Sequence, residues 1–147
     1  MTCLSSPVND GTPLVLDTSV LINLHASTFG HKILQAIPNA ILVPEIVSGE
    51  LEHQTSRING EHKFIHELAA SSTVTIAKLD DSQFKLFERL VTQSPSIGDG
   101  EAATIAIGAQ YSALPVIDDK KGRQQSAAVL SVAPPIWSLD LFLHPRV

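Results

Sequence analysis

The sequence predicts an α/β fold, a three-layer α/β/α sandwich built on a central, mostly parallel sheet. Short apolar runs at residues 14–16, 40–43 and 114–117 are continuous rather than alternating, the pattern of strands covered on both faces. Helical stretches with capping residues separate them, so strand and helix alternate along the chain as a parallel sheet requires. The 147 residues are 44% apolar and only 5% aromatic, which suits one aliphatic core and excludes a disordered chain.

Taken in order, residues 1–12 carry Pro7 and Gly11 and read as a loose leader before a single domain over 13–147. Leu14-Val15-Leu16 is the first strand and ends at Asp17. Thr18 and Ser19 offer N-cap hydroxyls for a helix through Val20–Leu24. A second helical stretch over Gly30–Ile37 stops at Pro38. Ala40–Val43 is the second strand, and Pro44 suits the first turn of the helix after it. Residues 55–71 carry Phe64, Ile65 and Leu68 at helical spacing, with a break at Asn59-Gly60. Val74–Leu79, partly alternating and β-branched, is the third strand. Asp80 or Asp81 caps a helix to about Thr92. An alanine-rich helix spans 98–111, with Asp99 as its candidate cap. Leu114–Ile117 is the fourth strand, and Asp118-Asp119 opens a helix to about Leu130. Pro134–Trp137 reads as a short edge strand, because prolines cannot serve a central ladder.

Composition removes several function classes. Cys3 is the only cysteine, so neither an internal disulfide nor a cysteine-rich zinc site can form. Fifteen acids against ten Lys and Arg exclude a broad basic nucleic-acid face and allow only a local patch. The start MTCLSSPVND has no signal-peptide pattern, and no apolar run nears the roughly 18 residues that span a bilayer. The expectation is a cytoplasmic protein without a membrane partner.

The placement of the acids is more informative than their number. Open parallel sheets bind ligands beyond the carboxyl ends of their strands. Asp17 follows the first strand there, and Asp118 and Asp119 follow the fourth. Helix capping alone would also account for all three. Glu50 shares a helix stripe with Ile46, Val47 and Leu51, and a carboxylate on a buried stripe calls for a cation or for donors. Glu101 lies in the first turn of Gly98-Asp99-Gly100-Glu101-Ala102-Ala103, four residues before Ile105 and on the same inward side. A helix-dipole role would explain it too. Four acids at one sheet edge repel one another unless a hard divalent cation joins them, and Mg²⁺ or Mn²⁺ suits carboxylates while leaving positions for phosphate oxygens. Metal-assisted hydrolysis of a phosphodiester is the chemistry such a site does best.

These pieces resemble a PIN-domain nuclease. They are Leu14–Leu24 with Asp17-Thr18-Ser19 and Asn23, Val43–Leu51 with Glu50, Gly100–Ala106 with Glu101, and Val116–Arg123 with Asp118-Asp119 and Gly122-Arg123. Four blocks in order cover about residues 13–126. They are most similar to the prokaryotic branch with a Gly-Glu third block and an Asp-Asp/Glu-x-x-Gly-Arg fourth block, the branch of the VapC-like toxins. The resemblance implies a divalent-metal-dependent ribonuclease acting on RNA, a homodimer, and an antitoxin protein as partner. It implies Asp17, Glu50, Glu101 and Asp118 as catalytic residues and metal ligands, with Ser19 assisting at the first aspartate. Asp119 is an alternative to Asp118, and Asp99 an auxiliary ligand.

Lys120, Lys121 and Arg123 oppose the dipole of their helix, a placement that suits RNA phosphates as well as a solvated face. His62 and His66 stand four apart and could bind zinc, but no third ligand can be placed from sequence. Trp137 and Phe142 read as edge packing. Two rival readings stand beside the nuclease. Gly98-Asp-Gly100-Glu-Ala-Ala103 spells a dinucleotide-binding fingerprint, although it follows a loop where that fingerprint needs a strand. The fold could also serve as a catalytically silent binding module.

Overall fold

The structure is a computed structural model that describes residues 11–94, 96–129, 136, 138–144, 146 and 147. Four strands, β1 (Leu14–Leu16), β2 (Ile41–Pro44), β3 (Thr75–Ala77) and β4 (Leu114–Val116), form one sheet in the order β3-β2-β1-β4, and every pairing is parallel. Register aligns Leu14 with Ile41 on one side and with Leu114 on the other. Ile136 adds a parallel bridge to Val116 outside β4. Of the expected edge strand, Pro134, Pro135 and Trp137 lie outside the described residues, as do residues 1–10 of the expected leader. Thr12 is tied down: its carbonyl accepts a hydrogen bond from Asn39 Nδ2 at 2.8 Å.

Nine helices occupy the intervals among the described residues: α1 (Thr18–Ala26), α2 (Gly30–Ala36), α3 (Glu45–Glu50), α4 (Gln54–Asn59), α5 (Glu61–Ala70), α6 (Asp81–Gln93), α7 (Asp99–Tyr111), α8 (Lys120–Val129) and α9 (Ser138–Phe142). Sequence signals account for most of their ends. Asp80 and Gln83 form a reciprocal capping box at α6, and Gly60, at φ 88°, makes the left-handed turn between α4 and α5. Three ends differ from expectation. Pro44 closes β2 and is the N-cap of α3 rather than a residue of its first turn. Asp17, not Thr18 or Ser19, is the N-cap of α1, because its extended backbone lets its own carboxylate accept from the Val20 N–H. Gly98, not Asp99, precedes α7. Helix α9 has no counterpart in the sequence expectation; at five residues it is too short to show periodicity.

The strand faces divide the core. Leu14 and Leu16 pack with Val20, Leu21 and Leu24 of α1, with Ile33 and Leu34 of α2, and with Phe64, Ile65 and Leu68 of α5. Val15, on the opposite face, packs with Ile107 of α7. A further cluster joins Leu90 of α6 to Ala102 and Ile105 of α7. Residues 102–108 of α7 are all buried, so this helix lies inside the molecule and needs small residues on its flanks. A Cβ on Gly108 would stand 2.8 Å from Pro115 Cγ and 3.1 Å from the Ala113 carbonyl.

Candidate active site

The sheet changes direction between β1 and β4. The chain moves outward from β1 to β2 and β3, then returns to place β4 on the other side of β1. That reversal opens a crevice at the carboxyl ends of these two strands. Asp17 leaves β1 at this point, and Asp118 leaves the end of β4 two residues after Val116. The strands whose adjacency the acidic site required are therefore neighbours.

A cleft of about 200 Å³ opens there, lined by Asp17, Thr18, Ser19, Ile22, Glu50, Gly98, Gly100 and Glu101. Three elements build it: the β1–α1 junction, the last residue of α3, and the first turn of α7. Gly100 is the point of closest approach, since a Cβ there would sit 2.9 Å from Glu50 Oε1 and 3.1 Å from Thr18 Oγ1.

Each acid in the cleft has a distinct setting. Asp17 is 1% exposed, and its Oδ1 accepts from Ser19 Oγ at 2.8 Å and from the Val20 N–H at 3.0 Å. Burial pushes its carboxyl up to about 7, against these two bonds, and the charges of Glu101 and Asp118 push the same way. Glu50, half-buried, accepts from Thr18 Oγ1 at 2.6 Å. Glu101 is also raised above the ordinary carboxylate range, first by burial and then by the charge of Asp119. A Gly98 backbone hydrogen bond opposes this, while Glu50 adds to it. Glu101 Oε2 is buried and has no hydrogen-bond partner among the described residues.

The two aspartates after β4 flank the cleft and do not line it. Asp118 accepts from Asn23 Nδ2 at 2.5 Å and from the Ser138 N–H at 2.7 Å, and its charge reaches Asp17. Asp119 accepts from the Gly122 N–H at 3.1 Å, and its charge reaches Glu101. The charge of Asp118 thus acts on the first acid and that of Asp119 on the third. Asp99 is exposed at the start of α7, away from the cleft lining. Lys120 is exposed at the start of α8. Arg123 is half-buried, and its guanidinium donates to the Asp118 carbonyl at 2.6 Å, holding the turn that carries both aspartates. The side chain of Lys121 lies outside the described residues.

Sequence reasoning missed Thr18 and Asn23 as partners of Glu50 and Asp118. Each pairing joins distant residues, 32 and 95 positions apart, and no local pattern encodes it. The dinucleotide fingerprint finds no support, because α6 and a loop precede Gly98 and no strand does among the described residues. Beside His25, His31 and Phe64 lies a larger hollow of about 420 Å³ in which Glu67 is the only acid among the described residues, and that carboxylate faces His31 and Lys63.

The cleft presents carboxylates and hydroxyls, with no Lys or Arg in its lining among the described residues. A buried acceptor without a donor and a buried acid under like-charged neighbours together form a donor set complementary to a hard divalent cation.

Comparison with known proteins gives the family and the fold. The family described as DUF3368, a PIN domain, matches residues 13–132. Among solved structures, the chain is similar to a chain of VapBC2 from Rickettsia felis bound to a DNA fragment from their promoter. That similarity has a TM-score of 0.55 and 18% sequence identity, covering 84% of this chain and 96% of that one. No curated protein matches. Among the described residues, no helix is long and apolar enough to cross a membrane.

Proposed function

The chain belongs to the PIN-domain family, whose members are generally nucleases, and from that premise we propose that it is a divalent-metal-dependent endoribonuclease. The observation that carries the reading is the shared cleft of Asp17, Glu50 and Glu101, with Glu101 Oε2 buried and unpartnered. These three acids would hold Mg²⁺ or Mn²⁺, with Asp118, Asp119 and Asp99 as further candidates. Bound there, such a cation would supply an activated water and offset the charge that builds on a phosphodiester in hydrolysis.

The protein's own groups prepare the site. Ser19 and the Val20 N–H fix Asp17 through Oδ1, and Thr18 fixes Glu50. Burial raises the Asp17 carboxyl to about 7, so a cation binding there would compete with a proton. Lys120, Lys121 and Arg123 would meet RNA phosphates beside the cleft, and Arg123 also holds the turn bearing Asp118. A toxin role with an antitoxin partner, as a homodimer in the cytoplasm, is the biological form of this reading. Its support is the four-block resemblance and the likeness in fold to a chain of the VapBC2 assembly.

The test is cleavage of a panel of RNAs by freshly prepared protein, with Mg²⁺ or Mn²⁺ and with EDTA, beside Glu101→Gln. Cleavage that needs the metal and disappears in a variant with an unchanged circular dichroism spectrum supports the proposal. No cleavage of any RNA with Mn²⁺ favours a silent binding module. Micromolar binding of NAD(H) regardless of Mg²⁺ would revive the dinucleotide reading.

A further inference from the structure

The turn after α3 and the exposed side of α5 meet at a second group of potential ligands. Glu52 lies two residues beyond the end of α3, and His62 and His66 occupy successive turns of α5. Their ligand atoms all lie within 4.8 Å of one another. The His62 and His66 rings pack with centroids 4.3 Å apart.

The chain path holds this group together. Helices α4 and α5 form a hairpin through the left-handed Gly60, which brings α5 back beside Glu52. Arg57 Nε donates to the Glu52 carbonyl at 2.8 Å and steadies that backbone. Glu52 and His66 are exposed and His62 is half-buried, so an ion can reach all three from solvent.

We propose that Glu52, His62 and His66 form a second metal site, separate from the acidic cleft, that takes a borderline divalent cation of the Zn²⁺ type. Two imidazoles and one carboxylate are donors that Zn²⁺ prefers and Mg²⁺ does not. Four-coordinate zinc with ligand bonds of about 2.0–2.1 Å needs ligand atoms roughly 3.3 Å apart, so these side chains must close by up to about 1.5 Å. Three protein ligands leave the fourth position to water. The protein would then sort cations by chemistry, with hard ions at the carboxylates and zinc at the imidazoles. A zinc ion here would tie the end of α3, two residues past Glu50, to α5.

The inference does not rest on nuclease activity, and its test reads binding. The full chain, free of any affinity tag, is titrated with Zn²⁺ by calorimetry in excess Mg²⁺. The titration is repeated in Glu101→Gln, where the acidic cleft is impaired. One equivalent bound with micromolar affinity in both, weakened roughly tenfold or more by His62→Gln and by His66→Gln, is the expected result. Equal affinity in both histidine variants, or no binding tighter than millimolar, overturns the proposal. Imidazole NMR of the unaltered chain gives a readout independent of variant folding. Zn²⁺ should perturb the His62 and His66 resonances and leave His25 unchanged, and silence at His62 and His66 would refute the site. Metal-dependent RNA cleavage in excess Mg²⁺ should be unaffected by His66→Gln.

Discussion

Replacing Asp17 with Asn should stabilise the cation-free protein while abolishing its activity. Folding carries this carboxyl from its ordinary 3.8 to about 7, chiefly because its side chain is buried. Below 3.8 both folded and unfolded chains hold the proton. Between 3.8 and about 7 only the folded chain holds it, so stability falls as pH rises. Above about 7 the folded chain bears the full cost of the buried charge. The interval corresponds to at most ~4 kcal/mol. Asn keeps an acceptor for Ser19 and Val20 but brings an amide that needs its own partner, so a gain of about 1–3 kcal/mol is realistic. For a domain of this size that is roughly 3–10 °C in Tm.

The assay is thermal melting in EDTA at pH 5 and pH 8.5, with and without Mg²⁺. The Asp17→Asn variant should melt well above the unaltered protein at pH 8.5, and the gap should shrink at pH 5. Mg²⁺ should raise the unaltered protein at pH 8.5 and leave the variant nearly unmoved, because the ion offsets a charge the variant lacks. A variant that melts at or below the unaltered chain in EDTA at pH 8.5 would refute the reasoning. So would a gap that does not depend on pH.

Other consequences follow from named contacts. Thr18→Val removes the hydroxyl that fixes Glu50, and should weaken Mn²⁺ binding by about 10–100-fold with little change in melting temperature, read by metal titration. Gly100→Ala and Gly108→Ala, both on α7, should part company. The first presses on the far end of the Glu50 side chain and should cut cleavage while costing about 1 kcal/mol or less, whereas the second meets Pro115 and backbone at Ala113 and should cost about 1–3 kcal/mol in urea denaturation.

The strands and most helices are legible in the sequence because each is a local pattern. Leu14-Val15-Leu16 is apolar throughout and is covered on both faces, and the Asp80-Asp81 pair marks the start of α6, where the structure makes Asp80 the cap. Asp17 and Asp118 are legible as candidate site residues for the same reason, since strand ends in a parallel sheet face one rim. The cap of α1 falls one residue earlier than the hydroxyls suggest because Asp17, Thr18 and Ser19 are all competent caps. Their ranking depends on which backbone is extended, and that is a property of the folded junction.

By itself, the sequence determined the layer architecture, the alternation of elements and the chemistry available at the sheet's edge, because periodicity and capping act within a few residues. Strand order placed β4 next to β1, and only that order brought two distant aspartates, Asp17 and Asp118, to the same rim of the sheet. Close packing at Gly100 brought Glu50 to Thr18 and left Glu101 Oε2 buried without a donor, while the α4–α5 hairpin carried His62 and His66 to Glu52. Each of those pairings joins separate elements of the fold, and a group's hydrogen bonds, burial and charge environment are set by whatever the fold packs against it.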